Sequence, residues 1–176
     1  NTTPANAPRV LILAALAAAL LTACGPSEKS ATVAPHEIDH ATSCSLDGML
    51  LADYPGPKAQ IHFAGQDEPE YFCDTMEMFN VYLNPKQVRT VRGLFVQDMG
   101  KTDWNEPRGN WIDARQAFYV QGSSQRGSMG PTFASFASRA DADKFAAQYG
   151  GKVYAFTEIT PEMAVLDGGA IHDSSM

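Results

Sequence analysis

The 176-residue sequence predicts an α+β fold of two similar ββαβ units packed as one compact body. Three observations predict it. Short apolar runs bounded by Gly, Pro and Asn read as strands. Two segments carry a capping residue followed by an apolar stripe at helical spacing. These elements come in the same order, strand, strand, helix, strand, in both halves of the chain.

The first unit spans 44–104. DYPGPK, 53–58, is a turn with two prolines around Gly56. AQIHF (59–63) then reads as a strand, GQDEP (65–69) as a loop and EYFC (70–73) as the returning strand. Asp74 with Glu77 three residues on has the form of a capping box, and Met76, Phe79 and Leu83 share one helical face. Asn84-Pro85 stops that helix, and VRTVRGLFVQ (88–97) supplies the next strand.

The second unit spans 105–166. AFYVQG (117–122) and TFASF (132–136) read as strands. Ser138 and Asp141 make a second capping box, ahead of a helix that ends at Gly150-Gly151. Ala142, Phe145, Ala146 and Tyr149 fall at i, i+3, i+4 and i+7, so one face of that helix is apolar. KVYAFTEI (152–159) is the last strand, and Thr160-Pro161 opens a short helix through Leu166.

Outside the two units the chain reads as targeting and tether. Arg9 precedes the apolar run VLILAALAAALLTA, 10–23, shorter than the roughly 20 residues a membrane span takes. A positive flank, a short apolar segment and small residues describe a secretory signal, residues 1–23. The run ends in LTAC (21–24), which resembles the lipobox of bacterial lipoproteins and makes Cys24 the acylated residue. Residues 24–43 read as lipid anchor and flexible tether, and 167–176, with His172 and Met176, as a disordered tail. The formal net charge of −7 becomes more negative once Arg9 is removed. That balance argues against nucleic acid or anionic headgroups as the main partner.

Sulfur is the informative chemistry, with three cysteines and seven methionines. No nucleophile elbow, phosphate loop, H-E-x-x-H or C-x-x-C motif is present. With Cys24 acylated, Cys44 and Cys73 remain, and an even pair in an oxidising compartment defaults to a disulfide. Cys73, beside Tyr71 and Phe72, also reads as a buried inert thiol. Cys44 and Met49 flank Gly48 in a short loop that can turn thiol and thioether toward one point. Met129, between Ser128 and Gly130-Pro131, sits in a loop rather than on an apolar face, and Met99 is a second loop methionine. Met76 reads as helix core. His36 and His40 are spaced i, i+4 but lie in the tether. One thiolate with one or two thioethers suits Cu(I) and leaves positions for ligand exchange, whereas zinc prefers four N, S or O ligands.

The blocks LTAC (21–24), CSLDGM (44–49), DYPGPKAQIHF (53–63), FCDTMEMF (72–79), VQDMGKTDWNEP (96–107), IDARQAFYV (112–120), GSMGPTFASFASRADADKF (127–145) and YGGKVYAFTEI (149–159) together resemble the NosL family. Its members are copper-binding lipoproteins that assist assembly of nitrous oxide reductase, and the likeness covers nearly the whole chain beyond the signal. The resemblance implies two ββαβ units similar to part of the organomercurial lyase architecture, and a Cu(I) site of cysteine and methionine. Cys44 matches the first cysteine of the family's C-x-x-C-G-M block, Met49 its methionine, and Met129 the methionine of its M-G block. Asp47 stands where many relatives carry the second cysteine, which rules out a local two-cysteine clamp. The implied ligands are Cys44, Met49 and Met129, with Met99, His62 and Asp47 as further candidates.

The role so implied is to receive Cu(I) in the periplasm and pass it, through a membrane-bound ABC-type maturation complex, to nitrous oxide reductase, without turnover. Gly25 after Cys24 favours an outer-membrane anchor by family analogy. Two other classes compete. A thiol-dependent lyase-like enzyme would use Cys44 as nucleophile with His62 brought near by the fold. An interaction lipoprotein without metal would be stapled by a Cys44–Cys73 bridge.

Overall fold

The computed structural model describes residues 33–166. The signal segment 1–23, Cys24 and the tail 167–176 lie outside the described residues, as does the tether up to residue 32.

Among the described residues, two antiparallel sheets and two α-helices make up the fold. The first unit runs β1 (Ala59–Phe63), β2 (Glu70–Phe72), α1 (Thr75–Tyr82) and β3 (Val91–Gln97). The second runs β5 (Phe118–Gln121), β6 (Ala134–Phe136), α2 (Arg139–Tyr149) and β7 (Lys152–Ala155). Between them a short β4 (Trp111–Asp113) pairs with β3, so the first sheet has the order β2-β1-β3-β4 and the second β6-β5-β7. Ala59 sits opposite Phe72 on one side and Val96 on the other, while Tyr119 sits between Ser135 and Tyr154. Each unit thus places its first strand centrally, with the second strand and the post-helix strand on its flanks.

Both helices start where sequence places their caps. Asp74 Oδ1 accepts from Met76 N, and Ser138 Oγ accepts from Asp141 N. Glu77 does not complete a capping box: it is buried and faces a thiol, as described below. Gly150 closes α2 at φ 78°, the left-handed region that glycine enters without penalty. The last strand stops at Ala155 because Glu158 Oε2 accepts from Ala155 N and folds the chain into a 3-10 turn over Phe156–Glu158. The terminal helix expected through Leu166 is likewise one 3-10 turn, Pro161–Met163.

One core joins the units. Ile61, Phe72, Met78, Phe79, Leu94 and Val96 from the first pack with Tyr119 and Phe133 from the second. Phe79 lies edge-on to Tyr119 and Phe133 at ring separations of 4.9 and 5.2 Å. The seam is also polar, since Thr75 Oγ1 donates to Phe133 O at 2.6 Å. The start of α1 is therefore held by the second unit, which fixes what its first turn presents.

The described part of the expected tether, 33–43, is docked rather than free. Ile38 is 5% exposed and packs with Cys44, Leu51 and Cys73. Glu37 accepts from Trp111 Nε1 and Gly109 N, both at 3.3 Å. The side-chain amide of Gln60 pairs with the backbone N–H and C=O of His36. A buried Gln60 needs those partners, and the segment supplies them.

Candidate metal centre

Cys44 enters the site on a tight turn that the sequence builds locally. Cys44 N donates to Met49 O at 2.8 Å, Gly48 N donates to Cys44 O at 2.9 Å, and Met49 N donates to Asp47 Oδ1 at 3.0 Å. Gly48 makes this turn at φ 78°. Ser45 N donates to Tyr71 O and Tyr71 N donates to Ser45 Oγ, which pins the turn on β2 just before Cys73. As a result Cys44 Sγ, Cys73 Sγ and a carboxylate oxygen of Asp47 all lie within 4.8 Å of one another. Both cysteines are buried free thiols, whereas Asp47 is exposed. Two sulfurs form the floor and a carboxylate the rim.

Ionisable side chains adjoin the two sulfurs. Glu77, 2% exposed, brings Oε2 to 3.3 Å from Cys44 Sγ. Lys58, fully buried, donates from Nζ to Cys73 O at 3.0 Å and to Pro55 O at 3.1 Å. Asp74, also buried, accepts from Thr132 Oγ1 across the seam.

Their protonation follows from these contacts. The hydrogen bond with Cys73, working against burial, lowers Cys44 to about 6. That same bond, with burial added, drives the Cys73 thiol far upward. Burial, reinforced by the Cys44 charge, pushes Glu77 up to about 8. Burial also pushes Asp74 up to about 6, against its bond with Thr132, and Lys58 down to about 8, against the pull of Cys73 and the two carboxyls. At neutral pH the site holds one thiolate, the form that ligates metals. A neutral Cys73 and a neutral Glu77 stand beside it.

The remaining candidate residues divide. Met49 is half-buried and packs against the Cys44–Cys73 cluster. Met129, 50% exposed, sits at the tip of a small loop closed by the Gly127–Gly130 pairing. It borders a pocket of about 300 Å³ with Met76, Met163 and Glu77. Glu77 is thus shared: its carboxyl group is hydrogen-bonded with the Cys44 sulfur, and the same residue walls the Met129 pocket. Met76 is core at 8% exposed yet also lines this pocket. Met99 packs elsewhere, against the Val120, Ala134 and Phe136 cluster. His62 lies on β1 and stacks edge-on with His36 and Phe95, and His40 is exposed. Neither Met99 nor His62 joins the sulfur cluster. Sequence reading missed Glu77 and Lys58 as members of the site. Glu77 did carry a signal, an acid flanked by Met76, Met78 and Phe79 in an otherwise uncharged helix.

The NosL family model matches residues 35–164. The chain is 38% identical over 168 residues to the copper-binding lipoprotein NosL of Stutzerimonas stutzeri, covering 92% of this chain and 87% of that one. It is 37% identical over 158 residues to the copper-binding lipoprotein NosL of Achromobacter cycloclastes, covering 88% and 81%. Its fold is similar to the crystal structure of the copper chaperone NosL from Shewanella denitrificans, at a TM-score of 0.70 and 40% identity over 74% of this chain and 98% of that chain.

Proposed function

Given that the chain belongs to the NosL family, we propose that it is a non-enzymatic Cu(I) carrier whose metal is held at Cys44. The observation that carries this reading is the convergence of Cys44 Sγ, Cys73 Sγ and the Asp47 carboxylate within 4.8 Å, above a buried Glu77. Cys44 supplies the thiolate. Met49, packed against it, and Met129, in the pocket that Glu77 also lines, supply soft thioethers, which favour Cu(I) over zinc. Glu77 bonds the Cys44 sulfur in the absence of metal, and its carboxyl yields that position to the incoming ion. Cys73 and Asp47 stand within reach as further donors.

The site is built for transfer. Its thiolate is buried, but Asp47 and Met129 are exposed, so a partner's ligands can approach from the rim while Cys44 holds the ion from below. In this reading the chain is anchored through Cys24 on the periplasmic side of the membrane, in the outer membrane, and passes Cu(I) through a membrane ABC-type complex to nitrous oxide reductase. Anaerobic Cu(I) titration against a competing chelator, with copper X-ray absorption on the loaded protein, tests the core of the proposal. One tightly held Cu(I) with two or three sulfur neighbours is expected. A first shell of nitrogen and oxygen alone would remove the proposed site.

A further inference from the structure

Cys44 and Cys73 meet at one backbone atom. Met49 O accepts from Cys44 N at 2.8 Å and from Cys73 Sγ at 3.6 Å. The turn that carries Cys44 is clamped to the strand leading into Cys73, through the Ser45 and Tyr71 pairing at 2.8 and 3.1 Å. The two sulfurs stand within 4.8 Å of each other, and both are free thiols. With the backbones already anchored side by side, rotation of the side chains is the movement that remains before the roughly 2.0 Å of a disulfide.

Access differs between the two thiols. Cys44 lies directly beneath residues 45–48, which are all exposed, and at Gly48 a Cβ would meet nothing within 4 Å. Cys73 is fully buried, packed with Ile38 and Leu51. A molecule arriving from solvent therefore reaches Cys44 first, with Cys73 behind it. Cu(I) and a bridge also compete for the same atom, because the metal takes Cys44 as a thiolate and a bridged sulfur is no longer one.

We propose, resting on the Cu(I) reading above, that Cys44 and Cys73 form a thiol–disulfide exchange site for a low-molecular-weight disulfide, and that the bridge they form closes the carrier to copper. Cys44 attacks one sulfur of the co-reactant, the co-reactant's S–S bond breaks, and one half leaves as a thiol. Cys73 then attacks the Cys44 sulfur of the mixed disulfide, and the second half leaves as a thiol. One S–S bond forms for the one broken. Two protons and two electrons pass from the protein thiols to the released halves. The reverse exchange, driven by a thiol, reopens the site.

The test incubates the reduced, copper-free full chain with oxidised glutathione, traps free thiols by alkylation, and maps them by peptide mass so that Cys24 is counted apart. Cys44 and Cys73 should lose alkylation together and appear in one bridged peptide. Cys73→Ser should stall with glutathione on Cys44, whereas Cys44→Ser should leave Cys73 unmodified. In anaerobic chelator competition the bridged protein should have lost Cu(I) binding and should regain it after dithiothreitol. Protein loaded with Cu(I) first should resist the exchange. Cys44 and Cys73 that both stay alkylatable, or a bridged chain that holds Cu(I) as the reduced one does, overturns the inference and leaves the carrier reading standing. A reduced chain that binds no Cu(I) removes that reading, and the gate with it.

Discussion

Cys44 Sγ and Glu77 Oε2 lie 3.3 Å apart in a region where both residues are nearly sealed from water. In ordinary surroundings the carboxyl would be the acid that ionises first. Here the order is reversed, with Cys44 brought to about 6 by the hydrogen bond with Cys73 and Glu77 pushed to about 8 by burial. The proton between them belongs to the carboxyl at neutral pH.

That inversion is visible in thiolate absorbance near 240 nm. One thiolate should appear with a midpoint near pH 6 in the reduced metal-free protein, and Cys44→Ser should erase it. Cys73→Ala removes the largest cause of the lowering and should move the midpoint back toward the usual thiol range. A midpoint near 9 in the unsubstituted protein would contradict the assignment.

The same shift sets a stability dependence. Glu77 titrates near 8 in the fold against 4.5 as its ordinary value, so the folded chain holds a proton there that the unfolded chain has released. Its contribution is fully present below about pH 4.5 and is lost as pH rises through 8. Glu77→Gln has no proton to lose. Urea unfolding of both proteins at several pH values between 4.5 and 8 should show the variant gaining steadily on the parent as pH rises. Parallel curves would mean that Glu77 titrates alike in both states.

Most of the fold was legible in the sequence because its signals are local. The Asp74 and Ser138 caps, the 3.6-residue stripe of α2 and the alternation of AQIHF each need only a short window. β4 was not legible, since Trp111–Asp113 has no period and becomes a strand only by pairing with β3. The docking of 33–43 depends on Gln60 and Trp111, which are distant in sequence. Cys44 and Met49, which the fold packs with Cys73, were legible as loop sulfurs around Gly48, and Met129 was legible as a loop methionine, which the fold places at the neighbouring pocket. Glu77 was read as a cap because its spacing from Asp74 fits one, and only the packed fold shows it turned toward sulfur. Lys58 reads from sequence as a turn lysine. Its burial follows from carbonyl partners at Pro55 and Cys73 that close around it.

Gly127 joins the two units where space is shortest. A Cβ there would meet Asp74 Oδ2 at 2.0 Å and Thr132 Cβ at 2.9 Å. Gly127→Ala must therefore displace the residue that caps α1, and overpacking together with a weakened cap is expected to destabilise by about 2–4 kcal/mol. The folding midpoint in urea measures it. A change below about 0.5 kcal/mol would show that the loop yields freely.

The two loop methionines separate a ligand role from a packing role. Met129 is half exposed and shares Glu77 with Cys44, whereas Met99 is packed among Val120, Ala134 and Phe136. Deleting the Met99 side chain empties packed volume and should lower stability, by about 1–2 kcal/mol for a partly buried site, with Cu(I) affinity retained. Deleting the exposed Met129 side chain should leave the folding midpoint within about 0.5 kcal/mol yet weaken Cu(I) at least about tenfold, the loss of roughly 1.4 kcal/mol of binding. Paired Met129→Ala and Met99→Ala proteins, compared by urea unfolding and by anaerobic chelator competition, give a crossed pattern if thioether coordination is what Met129 provides. Equal Cu(I) affinity in the two variants would leave Cys44 with Met49, Cys73 and Asp47 as the whole ligand set, because those groups already converge without any contribution from the 127–130 loop.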